Sequence, residues 1–283
     1  MKGKAELFDR IRRLVRPGWR AAFLAGILSG GLKCLRPRMK VALENLKAAY
    51  PESSESWRRE TVKKCYEHLA WMVAEYFALV GNPRQVLDWF PSVHGISVLD
   101  RFLSSGRGCI LLTGHLGNWE LLAAWVAQAG YPVAALVRNP DDPDAAELTR
   151  QYRTRVGLKT FEKQFVMKDA VRFVKDGGFL GILPDQAWNS TGVHGRFFGQ
   201  PCFTAGGPAA IALLSRAPVV PVVSYRMAPF RHRLEIFEPL DLAAGISRDE
   251  AIRENTMRMN TFLEKMIRAH PEQWLWLHRR WKL

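Results

Sequence analysis

Cys109-Ile110-Leu111-Leu112-Thr113-Gly114-His115-Leu116-Gly117-Asn118-Trp119-Glu120-Leu121-Leu122-Ala123-Ala124-Trp125-Val126-Ala127-Gln128 passes from a short apolar run, through a glycine-flanked turn, into a helical pattern. A brief apolar run bounded by turn residues suits a strand buried on both faces, and the helix that follows at once makes a strand-turn-helix unit. The alternation continues downstream. Apolar runs at 133–137, 179–183 and 219–223 are separated by helical stretches at about 143–156, 168–175 and 207–215. This order predicts an α/β fold with a largely parallel central sheet flanked by helices.

Upstream, Val62, Cys65, Leu69, Met72, Tyr76 and Leu79 recur at steps of three and four, which predicts an amphipathic helix over 58–79, stopped by Gly81-Asn82-Pro83. A last helix is expected over 248–269. The chain has 283 residues, 48% of them hydrophobic, enough for one large core. We divide it into a basic, membrane-associating segment at 1–40 and a catalytic domain at 41–283.

The formal net charge is +14, which points to a polyanionic partner: nucleic acid, an acidic lipid surface or a phosphorylated substrate. Residues 1–40 hold eleven Lys or Arg against Glu6 and Asp9, so they supply most of the excess. Leu7, Ile11, Leu14 and Val15 share one helical face, and Trp19 and the apolar run 21–28 follow. A basic amphipathic helix with an aromatic residue suits a membrane interface; the alternative is a solvated basic face on a helix packed against the domain. No stretch reaches the about 18 consecutive apolar residues of a spanning helix, and no signal-peptide cleavage pattern is evident, so the segment is expected to lie on a membrane. The four cysteines are widely spaced and form no CxxC pair, the pattern of reduced thiols.

Among the seven histidines, only His115 has a carboxylate at the fifth following position, Glu120. His115 is expected at the carboxyl end of a strand, where ligands gather in α/β sheets. A histidine there can take a hydroxyl proton near neutral pH, and a carboxylate on its far nitrogen fixes the tautomer and stabilises the imidazolium. The bland alternative is a turn histidine bonded to a helix cap. No GxSxG nucleophile, P-loop or GxGxxG pattern accompanies it, so the expected pair activates a substrate hydroxyl and nucleotide chemistry is set aside.

Gly114-His115-Leu116-Gly117-Asn118-Trp119-Glu120 resembles the His-x4-Asp/Glu motif of the glycerolipid acyltransferase superfamily, in the form typical of bacterial lipid A lauroyl/myristoyl acyltransferases. Further stretches resemble that family in the same order: Asn45-Leu46 with Tyr50-Pro51, Val137-Arg138-Asn139-Pro140, Arg153 with Arg155, Leu183-Pro184-Asp185-Gln186, Phe197 to Gly206, and Pro271-Glu272-Gln273-Trp274 through Lys282. Arg138-Asn139 stands where the commoner family form has Arg-Pro.

The resemblance implies transfer of a fatty acyl group from acyl-carrier protein or acyl-CoA to a hydroxyl of an anionic membrane lipid, a lipid A precursor, at the cytoplasmic face of the bacterial inner membrane. It implies His115 as general base, Glu120 as the acid that orients it, and no metal or organic cofactor. Backbone amides around Gly117, Asn118 and Trp119, or Arg138, are the expected oxyanion donors. Arg138, Arg153 and Arg155 are expected to bind acceptor phosphates, with surface charge the alternative for the last two. Asp185 and Gln186 end an apolar run and so face the ligand edge. Thr204 and Gly206 either contact substrate or form a local cap. Trp274, Trp276 and Trp281, with Arg279 and Arg280, are an interfacial rim or packing across the domain. Other acceptors are a phosphatidylinositol mannoside or a lysophospholipid. A binding module without catalysis is the reading from another class, and no recognised nucleic-acid motif supports it.

Overall fold

Two consecutive residues of the central strand point to opposite sides of a sheet, and here both sides are buried. The computed structural model describes residues 14–137, 142–162 and 166–281. Cys109 and Leu111 of strand β2 (Cys109–Leu112) join one apolar cluster, whereas Ile110 and Leu112 join a second on the other face. Ile110, Leu111 and Leu112 each contribute about 1.5–3 kcal/mol by leaving water, so this short strand anchors both layers.

The sheet has seven strands. In chain order they are β1 (Ser92–His94), β2, β3 (Val133–Val137), β4 (Lys159–Glu162), β5 (Phe179–Ile182), β8 (Val219–Ala228) and β9 (Arg231–Ile236), and across the sheet they run β1-β9-β8-β2-β5-β3-β4. The five from β8 to β4 are mutually parallel; β9 pairs antiparallel with β8, and β1 lies beside β9. A separate antiparallel hairpin is formed by β6 (Val193–Phe197) and β7 (Gln200–Thr204). The largely parallel α/β architecture agrees with the sequence.

Helices cover both faces. One layer takes α4 (Ile96–Ser104) and α5 (Trp119–Gln128); the other takes α7 (Val166–Lys175), α8 (Gly207–Ser215) and α9 (Arg248–Ala269). Helix α6 (Pro143–Arg155) connects β3 to β4 and buries Tyr152. The Asp142 side chain caps α6 by accepting from the Ala145 amide, and α9 opens with a reciprocal Ser247–Glu250 capping box.

The strands that escaped the sequence reading are β1, β4, β6, β7 and β9. β4 is an edge strand rich in polar residues, and β9 alternates exposed or half-buried residues with buried ones, so neither presents a continuous apolar run.

At the amino-terminal side, α1 (Trp19–Leu35) packs on α3 (Glu55–Leu79), with α2 (Met39–Ala49) between them in sequence. Ala21 and Ala25 face inward, whereas Trp19, Phe23 and Ile27, four residues apart, are 75%, 65% and 57% exposed. Leu7 and Ile11 of the expected basic amphipathic helix lie outside the described residues; Leu14 is exposed and Val15 buried. Among the described residues, no helix is long and apolar enough to cross a membrane.

Candidate active site

The register of β2 with β5 builds the site. Leu112 pairs with Ile182, and the Thr113 amide continues the ladder by donating to the Ile182 carbonyl at 3.0 Å. His115 and Asp185 each stand three residues beyond this last pair, at the carboxyl ends of adjacent parallel strands. The His115 Nδ1 lies 2.8 Å from Asp185 Oδ1, and the His115 backbone N–H donates to Oδ2 at 2.7 Å. The Trp274 indole N–H donates to the same Oδ2 at 2.7 Å.

Asp185 is fully buried, and the imidazole keeps about a fifth of its surface exposed. Burial opposes ionisation of Asp185, but attraction to His115 and the donors from His115 and Trp274 outweigh it and hold the carboxyl below its usual range. An ionised Asp185 accepts the Nδ1 proton, which leaves a lone pair on Nε2. Nε2 has no protein partner among the described residues. Trp119 stands edge-on to the imidazole, 5.0 Å between ring centroids.

This arrangement corrects the expected role of Glu120. The sequence reading assigns the far nitrogen of His115 to Glu120; the structure gives it to Asp185. The Glu120 carboxylate instead accepts from Arg153 Nη2 at 2.8 Å, with both side chains largely buried. The reason is geometric: the five-residue spacing crosses a turn and the start of α5, so Glu120 belongs to the first turn of that helix and faces α6. Burial, with Glu120 nearby, pushes the phenols of the stacked Tyr76 and Tyr152 above their usual values.

The turn after His115 is held from behind. Gly117 has φ +60°, and a Cβ there would sit 1.8 Å from the Ser224 carbonyl oxygen. Its amide donates to the Gln273 carbonyl at 3.0 Å, which removes it from the expected oxyanion donors, and its carbonyl meets His68 Nε2 at 3.0 Å. Asn118 is buried: Oδ1 caps α5 by accepting from the Leu121 amide, and Nδ2 donates to Glu75 at 2.8 Å. Gly117→Ala is expected to cost about 1–3 kcal/mol from the left-handed backbone alone, with more from the clash; a thermal melt and an activity assay on the variant check both losses.

Glu75 is the centre of that support. Its fully buried carboxylate accepts from Arg226 Nη2 at 2.7 Å, Arg226 Nε at 3.1 Å, Asn118 and the Phe230 amide, and it meets His232 Nε2 at 3.2 Å. Burial alone would raise its pKa, but Arg226 and His232 overcome that and drive the carboxyl far below its usual range. No local sequence pattern signals this network, because its members come from α3, the α5 cap and the β8–β9 hairpin.

The remaining expected site residues are more dispersed. Arg138 lies outside the described residues. Arg155 is exposed on α6 and Gln186 is half-buried beside Asp185. Thr204 is buried and accepts from Asn260 Nδ2 at 3.0 Å and Arg280 Nη2 at 2.7 Å. Gly206 precedes α8 and packs against Val193 and Ile252, where a Cβ would approach either at 3.1 Å. Arg280 is itself fully buried, and Trp274 and Trp276 are buried too, so these members of the tail pack across the domain. A cavity of about 530 Å³ lies between α1 and α3, lined by Lys64, His68, Trp71, Arg226 and Gln273, and includes neither His115 nor Asp185.

A largely parallel α/β sheet that carries a carboxylate-bound histidine at its carboxyl edge has a geometry suited to group transfer assisted by a base. Comparison with known proteins makes the class specific: residues 20–283 match the bacterial lipid A biosynthesis acyltransferase family, and the chain belongs to it. It is an acyltransferase. It is 28% identical over 255 residues to a lipid A biosynthesis lauroyltransferase of Escherichia coli, covering 89% of this chain and 81% of that protein. It is 27% identical over 256 residues to a lipid A biosynthesis palmitoleoyltransferase of the same organism, covering 88% and 80%. A phosphatidylinositol mannoside acyltransferase of Mycobacterium tuberculosis is 21% identical over 196 residues, 67% of this chain and 59% of that protein.

Proposed function

We propose that the protein transfers a fatty acyl group from an acyl thioester, carried by acyl-carrier protein or coenzyme A, to a hydroxyl of a lipid A precursor. The observation that carries this reading is the His115–Asp185 pair, with Nδ1 bound at 2.8 Å and Nε2 free of protein partners among the described residues. Nε2 takes the acceptor hydroxyl proton as the oxygen attacks the thioester carbonyl. The tetrahedral oxyanion is met by amides of the first turn of α5, where the helix N-terminus favours negative charge. The C–S bond then breaks, the thiolate takes the proton back from the imidazolium, and an ester and a free thiol result. No metal or organic cofactor enters this sequence.

Glu120 and Arg153 act on this reading as a pair bordering the acceptor, with Arg153, Arg155 and Arg138 offering charge to its phosphates. Gln186, Thr204 and Gly206 shape the edge around Asp185.

The site of action is the cytoplasmic face of the bacterial inner membrane, with residues 1–40 as the contact segment. Supporting this are the outward Trp19, Phe23 and Ile27 and the basic residues Arg16, Arg20, Lys33 and Arg36 around them. A helix of this kind lies in the interface with its apolar side in the acyl boundary. Similarity to the mycobacterial relative favours a second acceptor class, a phosphatidylinositol mannoside.

His115→Ala is the direct test of the base. Transfer should fall by about 10²–10⁴-fold in assays pairing acyl-carrier protein and acyl-CoA donors with each acceptor, read by mass spectrometry of the lipid. Unchanged turnover would remove His115 from the mechanism.

A further inference from the structure

The tail that follows α9 meets the His115 turn as a strap. The Gln273 carbonyl accepts the Gly117 N–H and the Leu275 N–H donates to the His115 carbonyl at 3.0 Å each, so Trp274 faces Leu116 in an antiparallel bridge. Gln273 fastens the strap to β8: its Oε1 accepts the Arg226 amide at 2.8 Å and its Nε2 donates to the Arg226 carbonyl at 3.0 Å. Asn45 Nδ2 donates to the carbonyls of Trp276 and His278 at 2.7 and 2.6 Å, and the Cys65 thiol donates to that of Trp274. Arg280 closes the far end, donating to the Phe203 carbonyl and Thr204 Oγ1.

From these contacts we propose that Trp274 is a positioning residue for the acyl-transfer dyad, its indole N–H orienting the Asp185 carboxylate so that Oδ1 is aimed at His115 Nδ1. The inference rests on the proposed role of His115 as base. Oδ2 already holds the His115 backbone N–H, and the indole is its second donor. Two donors on one oxygen fix the rotation of the carboxylate about its Cβ–Cγ bond and favour its ionised form. The indole is buried and its ring is wedged against Trp276 and Phe197, 4.6 and 5.9 Å between centroids, so the N–H has little freedom to leave.

Trp276 supplies the control. It belongs to the same aromatic cluster, but its N–H donates to the Pro271 carbonyl, away from the dyad. The ionisable groups whose charges reach Asp185 are His115 from the β2 turn and Arg280 from the tail, and neither is altered in these variants.

Trp274→Phe and Trp276→Phe are to be compared for kcat, KM and the pH dependence of kcat, with melting temperatures recorded. We expect Trp274→Phe to lower kcat about tenfold or more, the scale of one charge-assisted hydrogen bond, with KM within about twofold. The acid limb of its profile should move to higher pH, because Asp185 loses a donor that holds it ionised. Trp276→Phe should leave that limb in place.

Substituting β-(3-benzothienyl)alanine at position 274 replaces the N–H with sulfur while keeping the ring size, and it should reproduce the kcat loss and limb shift in a folded protein even if Trp274→Phe folds poorly. An unmoved limb with wild-type kcat in the benzothienyl variant, or matching losses in the two phenylalanine variants that track melting temperature, would overturn the inference. Failure of the underlying reading is seen separately, as wild-type transfer by His115→Ala.

Discussion

Asp185→Asn is expected to reduce acyl transfer by about 10²–10⁴-fold in a protein that still folds, and to do so far more than Glu120→Gln. The contrast follows from which atoms the two carboxylates hold. Oδ2 of Asp185 receives two N–H donors, from the His115 backbone and the Trp274 indole. An asparagine must keep its carbonyl there, because an NH2 group would face two donors. Its NH2 group then falls at the Oδ1 position, opposite His115 Nδ1, and forces Nδ1 to accept. The tautomer so imposed carries its proton on Nε2 and cannot act as a base.

Glu120→Gln leaves the His115–Asp185 pair intact and weakens only the contact to Arg153, so its effect should appear mainly in KM for the acceptor. Steady-state kinetics on the two variants decide between the carboxylates. A severe kcat defect in Glu120→Gln beside a mild one in Asp185→Asn would return the orienting role to Glu120.

Glu75→Ala is expected to be the most destabilising single substitution in the support of the site, by about 3–5 kcal/mol. It removes the acceptor for Arg226, Asn118, His232 and the Phe230 amide in one step and leaves the Arg226 guanidinium buried without its counter-charge. The loss then spreads to the turn, since Asn118 caps α5 and Arg226 also contacts His68, whose Nε2 holds Gly117. At about 2–4 °C per kcal/mol for a chain of this size, the melting temperature should drop by roughly 6–20 °C.

The pH dependence has a definite sign. The Glu75 carboxyl is depressed in the folded state, so its stabilisation is complete above the unfolded value near 4.3 and fades as pH falls through the much lower folded value. Wild-type and Glu75→Ala stabilities should therefore differ fully at neutral pH and converge in strong acid. A variant that melts within a degree or two of wild type at pH 7 would show that the network carries no net stability.

The sequence made the layers legible and hid the pairings. The runs at β2, β3, β5 and β8 are apolar without interruption because both faces of a central parallel strand are buried, and helices α5 to α9 appear within a few residues of their expected bounds. Strand order is different information. That β5 lies against β2, with β3 beyond it, follows from how the layers pack and leaves no mark in local periodicity. Asp185 was readable as a residue at a strand's ligand edge, but its bond to His115 depends on that order, seventy residues apart in the chain. Glu120 drew attention because it is close in sequence, and nearness across a turn and a helix start does not set a contact.

The tail shows the same limit: its tryptophans and Arg280 fit a membrane rim or an interior equally well by composition, and burial of Trp274, Trp276 and Arg280 resolves it. Arg280 stacks over Phe197 at 4.7 Å and binds Thr204, which explains how a charged tail residue is held inside.

The most direct test of the account is the product itself. Purified protein, an acyl thioester and a lipid A precursor should yield an acceptor heavier by one ester-linked acyl group, with one free thiol released per ester formed, and His115→Ala should yield neither above background. Thiol release without acylated lipid, or acylated lipid formed equally well by His115→Ala, would contradict it.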